Sequence, residues 1–144
     1  MKQREQARRI ALQALFQLDV RGDEFEPEVV EFLRSSTKDP EVYLFAKRLT
    51  EGARAWRDEA DRLITEAAEH WQIDRMAILD RNILRLAAWE ICCCDDIPDR
   101  VAIDQAIELA KRFGGAESSA FVNGVLDRIL RTVKPDSARP EAKE

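Results

Sequence analysis

Apolar positions recur at helical spacing almost from the first residue. Counted from Ala7, the residues Ile10, Ala11, Ala14, Leu15 and Leu18 fall at offsets of 3, 4, 7, 8 and 11. That is one stripe of a 3.6-residue repeat, and it predicts a helix from about residue 4 to Val20. Arg21-Gly22-Asp23 ends it, and Pro27 suits the first turn of a short second helix carrying Val29, Val30, Phe32 and Leu33. Asp39-Pro40 is another start signal, because the carboxylate can accept from free N–H groups while proline takes a position that needs no donor. From there to about His70 the stripe of Leu44, Phe45, Leu49, Ala53, Trp56, Ala60, Leu63, Ile64 and Ala67 is unbroken, which predicts one long helix bent near Gly52.

A second half opens near Trp71. Asp74 can cap a turn leading into a helix over 78–91, with Leu79, Ile83, Leu86, Ala87 and Ile91 inward. Asp95-Asp96-Ile97-Pro98 stops that helix, and 101–113 forms another amphipathic one, closed by Gly114-Gly115 in the left-handed C-terminal conformation. Ser118 or Ser119 then caps a last helix through Phe121, Val122, Val125, Leu126, Ile129 and Leu130. The expected fold is all-α, a single domain over 1–134 of about seven helices in two packed helical subdomains, about 1–70 and 71–134. Residues 135–144 hold two prolines and no large apolar side chain and are expected to form a flexible tail.

Composition narrows the function. The 144 residues suit one domain, since domains run to ~100–200 residues. With 23 basic and 28 acidic residues the net charge is −5, so the chain is not a generally basic protein and any nucleic-acid site must be local. The mix of 45% hydrophobic and 35% charged residues with five Gly and five Pro is too apolar for disorder and too poor in turn residues for an all-β fold. No apolar run approaches the ~18 residues of a membrane span, and no signal-type segment follows Met1, so a cytoplasmic protein without membrane contact is expected.

Little in the chain suggests catalysis. The three cysteines, Cys92, Cys93 and Cys94, are consecutive and odd in number, so they cannot make a disulfide framework. On a helix they would point ~100° apart, which does not converge on a metal ion; neither metal nor cofactor is expected. The sole histidine, His70, is expected at a helix end where a positive charge suits the dipole. No nucleophile elbow surrounds Ser118 or Ser119, and no phosphate-cradling glycine loop or H-E-x-x-H pair occurs, so the chain is not expected to be an enzyme.

Three features invite recognition chemistry. Lys2, Arg4, Arg8 and Arg9 against Glu5 give a net charge of four minus one, plus three, within nine residues of an acidic protein. Such an arm can steer an anionic polymer, with Arg4 and Arg8 one helical turn apart. A solvated helix start is the alternative, although cations there oppose the dipole by a few tenths of a kcal/mol each, roughly. At ~100° per residue the core stripe of the first helix averages near 10°, whereas Leu12 falls near 140° and Phe16 near 180°. A helix apolar on two sides is either buried between two layers, the simpler reading, or presents a partner site. Phe121 is a core residue or, beside the basic Lys111 and Arg112, a ring on which unpaired bases stack.

Three stretches together carry a resemblance. They are Arg8-Arg9-Ile10-Ala11-Leu12-Gln13-Ala14-Leu15-Phe16, Asp80-Arg81-Asn82-Ile83-Leu84-Arg85-Leu86-Ala87-Ala88-Trp89-Glu90, and the run from Val101-Ala102-Ile103-Asp104-Gln105-Ala106-Ile107-Glu108-Leu109-Ala110-Lys111-Arg112-Phe113-Gly114 to Phe121-Val122-Asn123-Gly124-Val125-Leu126-Asp127. In order, from about Arg8 to Leu130, the chain resembles the NusB family of bacterial transcription antitermination proteins. The resemblance implies a non-catalytic all-α protein that pairs with the ribosomal small-subunit protein NusE. The pair would bind boxA-type single-stranded RNA of ribosomal RNA leaders and join the RNA polymerase antitermination complex, suppressing termination and aiding ribosomal RNA maturation. It further implies RNA contacts at Lys2, Arg4, Arg8, Arg9, Lys111, Arg112, Glu117 and Phe121, and contacts to NusE at Leu12, Phe16 and Asp80, which reverses the simpler reading of Phe16. Homodimers that hide the RNA face also occur among proteins of this kind.

The chain departs from the family pattern in places. Glu5 interrupts a sparse basic arm, Trp89 stands where tyrosine is common, and Ala120 lacks the polar side chain often found beside the phenylalanine. Two alternatives stay open: a non-catalytic domain related to the one that precedes a ribosomal RNA cytosine methyltransferase, and a helical adaptor that has lost RNA binding.

Overall fold

A computed structural model describes residues 2–69 and 71–136. Among the described residues there are seven α-helices and no strand: α1 (Lys2–Arg21), α2 (Glu26–Ser35), α3 (Pro40–Ala55), α4 (Arg57–Ala67), α5 (Ile78–Cys93), α6 (Asp99–Phe113) and α7 (Ser118–Val133), with short 3-10 turns over Asp23–Phe25 and Ile73–Arg75. His70 and most of the expected tail, 137–144, lie outside the described residues. No helix among the described residues is long and apolar enough to cross a membrane.

The helices form two compact units, one ending at Ala55 and one beginning at Trp56. The division falls inside the segment that the sequence pattern reads as one helix, rather than near residue 70. In the first unit α1 packs on α2 and α3. Every residue of its predicted stripe is buried, and Gly22, at φ 92°, supplies the left-handed residue that ends α1, its N–H donating to Leu18 O at 2.8 Å. Asp39 caps α3 as expected, Oδ1 accepting from the Glu41 N–H at 2.9 Å, while Oδ2 accepts from Gln3 Nε2 at 2.9 Å and so joins the start of α1 to the start of α3. The Gln3 bond first, then the backbone bond, hold the Asp39 carboxyl below its ordinary pKa.

Helix α3 runs through Gly52 and stops at Trp56, whose backbone (φ −101°, ψ 12°) lies outside the helical range. The Trp56 carbonyl accepts from the Ala60 N–H at 3.0 Å and so opens α4. The break occupies one residue and leaves Ala53 and Ala60 both buried, which is why the apolar period does not betray it.

In the second unit α4 packs on α5 and α7, and α5, α6 and α7 pack on one another. A buried ion pair fixes α4 to α5: Arg85 Nε and Nη2 donate to Asp61 Oδ1 and Oδ2 at 2.7 and 3.1 Å, and Nη1 donates to Asn82 Oδ1 at 3.3 Å. The α6–α7 turn departs from expectation. Gly114 is extended (φ −92°, ψ −176°), not left-handed. What demands glycine is close approach: a Cβ there would meet Ser118 Oγ at 2.5 Å and the Ala110 carbonyl oxygen at 2.8 Å. Ser118 does not cap α7 either; its Oγ accepts from the Gly115 N–H at 3.0 Å, and Glu117 is the N-cap residue. This tight turn sets where α7, and with it Phe121, begins.

Candidate nucleic-acid interface

The basic start of α1 is built around a ring from α3. Phe45 is buried, and the guanidinium carbons of Arg4, Arg8 and Arg48 lie 4.2, 5.4 and 5.8 Å from its centroid. Gln3, Arg4, Glu41, Leu44, Phe45 and Arg48 line a shallow depression of about 510 Å³ beside them. Three guanidinium groups gathered at one ring concentrate positive charge at the start of α1, with Glu41 lining the same depression. Lys2 and Arg4 are exposed and Arg9 is half-exposed, whereas Arg8 is only 2% exposed. Arg8 is therefore not a solvent-facing cation, as expected from sequence, but a packing residue between α1 and α3: its long stem and planar head lie against Phe45. Arg48 is the member of this cluster that sequence reasoning missed. Its position three residues after Phe45 was visible, but the meeting of that helix face with the start of α1 was not.

The second group of predicted residues lies at the other unit's α6–α7 turn. Lys111 and Arg112 are exposed in the last turn of α6, where cations favour the helix dipole, and Glu117 is exposed at the N-cap of α7, where an anion does. Phe121, in the first turn of α7, is half-buried and packs edge-to-face with Trp71, centroids 6.1 Å apart and planes 62° apart. Trp71, a boundary marker in the sequence pattern, is 54% exposed.

The residues expected to meet a protein partner diverge. Leu12 is 1% exposed, so its side chain offers no surface. Phe16 is half-buried. Asp80, in the first turn of α5, is also half-buried, and its Oδ1 is shielded from solvent with no hydrogen-bond partner among the described residues. An acceptor left in that state costs about 1–3 kcal/mol, unless a donor arrives from outside. Of the cysteines, Cys93 is exposed, Cys92 half-buried and Cys94 buried. Burial first, then the neighbouring Cys93, pushes the Cys92 thiol up to about 11. Among the described residues no group of three or more His, Cys, Asp or Glu is placed to hold a metal ion.

Known proteins of one family resemble the chain over most of its length. The family model described as the NusB family matches residues 5–131. A transcription antitermination protein NusB from Symbiobacterium thermophilum is 44% identical, with 96% of each chain covered. A solved structure of NusB from T. maritima superposes with a TM-score of 0.81 at 36% identity, covering 94% of this chain and 95% of that one. A structure of antitermination factors NusB and NusE in complex with dsRNA matches with a TM-score of 0.79 at 30% identity, covering 92% of this chain and 98% of that one.

Proposed function

The chain belongs to the NusB family, and from that premise we propose that it is an RNA-binding transcription antitermination factor. It pairs with a NusE-type ribosomal protein and binds boxA-type single-stranded RNA of ribosomal RNA leaders within the cytoplasmic RNA polymerase antitermination complex, without catalysing a reaction. The observation that carries the RNA half of this reading is the cationic cluster on Phe45, a concentration of positive charge on an acidic protein.

Each unit supplies one recognition element. Lys2, Arg4, Arg9 and Arg48 offer charge to phosphates, while Arg8 positions α1 against α3 from within. Lys111, Arg112 and Glu117 surround the start of α7, where Phe121 contacts a base. Phe16 in the first unit and Asp80 in the second are the residues assigned to the NusE partner. Leu12 supports Phe16 from beneath the surface rather than touching the partner.

The test is a titration of single-stranded boxA RNA, and of the same sequence as a duplex, with and without NusE. The expected result is preference for the single strand and tighter binding when NusE is present. Phe16→Asp should impair NusE pairing first, measured by calorimetry; normal pairing by that variant contradicts the partner assignment, and equal neglect of both RNAs contradicts the function.

A further inference from the structure

Trp71 is unusual for where it stands. Large aromatic residues normally hide most of their surface, yet Trp71 is 54% exposed in a segment whose neighbours are held in place. Its N–H donates to Ala68 O at 3.3 Å, the following 3-10 turn is closed by Arg75 N–H to Gln72 O at 3.0 Å, and Met76 beyond it is buried. Its ring packs edge-to-face on Phe121. That contact leaves much of the residue uncovered.

Such a ring suits one kind of ligand well. A base brought against an exposed indole gains stacking, and every base has a π-face. Charge nearby matches a nucleic-acid strand: Arg75 is exposed four residues beyond Trp71, and Lys111 and Arg112 are exposed at the end of the helix leading into the Phe121 turn. A duplex keeps its bases stacked internally, so the fit is to an unpaired base.

We propose that the Trp71 ring, flanked edge-to-face by Phe121, is a platform on which an unpaired base of the bound RNA stacks. The inference rests on the RNA-binding reading above and adds to it a base-contacting residue on the segment between α4 and α5.

The experiment titrates fluorescently labelled single-stranded boxA RNA with the full chain and NusE, comparing wild type with Trp71→Ala, Trp71→Leu and Trp71→Phe. Stacking predicts an affinity loss of about 5- to 100-fold for alanine. Leucine should lose nearly as much although it preserves apolar packing, phenylalanine should retain most of the affinity, and the salt dependence should stay as in wild type. An abasic ribose at the stacked position should remove the effect of Trp71→Ala. Binding by Trp71→Leu equal to wild type overturns the platform while the RNA-binding reading stands; absence of RNA binding by wild type overturns both. In wild-type protein labelled with 5-fluorotryptophan, saturating RNA should shift the Trp71 fluorine resonance, and a resonance that stays still under saturation overturns the platform without any substitution.

Discussion

The guanidinium carbon of Arg8 lies 5.4 Å from the centroid of the Phe45 ring, and the residue is 2% exposed, so one of the arginines of the basic arm serves the fold before it serves any ligand. Its neighbour Arg9 is half-exposed and free of that duty. Arg8→Ala should therefore lower stability by about 1–3 kcal/mol in urea denaturation, through lost packing and a lost cation–π contact. Arg9→Ala should stay within about 0.5 kcal/mol of wild type in the same measurement and weaken RNA binding instead.

Two glycines of similar appearance in sequence should respond in opposite directions to alanine. At Gly114 the added Cβ meets the Ala110 carbonyl oxygen at 2.8 Å and the Ser118 side chain, so Gly114→Ala should destabilise by about 1–3 kcal/mol. At Gly124, inside α7, the nearest such atom is Arg128 Nη2 at 3.9 Å, so Gly124→Ala should stabilise by about 0.5–1 kcal/mol. Thermal melts of the two variants against wild type check both signs.

Removing Asp61 should be costly because it takes from Arg85 the carboxylate that it holds with two donors between α4 and α5. Breaking a buried pair typically costs about 3–5 kcal/mol, but the Asp61 side chain is 24% exposed, and solvent reduces the expected loss for Asp61→Ala to about 2–3 kcal/mol. Denaturant midpoints measure it; a loss under about 0.5 kcal/mol would show that Arg85 has found another anion.

The cysteines should be separable by reactivity. At pH 8, iodoacetamide should modify Cys93 first, while Cys92, pushed up to about 11, stays protonated. The linkage has a definite sign: an unfolded thiol ionises near about 8.5, below the folded Cys92, so the contribution is intact below about pH 8.5 and is lost as pH rises. Cys92→Ser should remove that part of the alkaline loss, as followed by denaturation at pH 8 and pH 10.5, roughly the two ends of the window.

How far the sequence revealed all this depends on what each feature rests upon. The stripe of α1 and the Asp39 cap were legible because each is decided within one helix or one turn. The break at Trp56 was not, because it leaves the apolar period in phase. Neither was the need for glycine at position 114, which arises from a serine four residues later folding back over it. Arg48 joins Arg4 and Arg8 only through the packing of α3 on α1, and Leu12, on the side of α1 opposite its stripe by angle, is covered all the same. Trp71 meets Phe121 only through tertiary packing, which its position in the sequence does not encode.

The salt dependence of RNA binding tests the central claim most directly. For a single strand, log affinity against log salt falls with a slope of about −0.7 per phosphate neutralised, so three or four contacts from the basic cluster predict a slope of roughly −2 to −3 for the wild-type chain with NusE. Arg9→Ala should make that slope shallower by about 0.7 with the fold intact. A slope near zero, or an Arg9→Ala variant indistinguishable from wild type in both affinity and slope, would contradict the assignment of this arm to RNA.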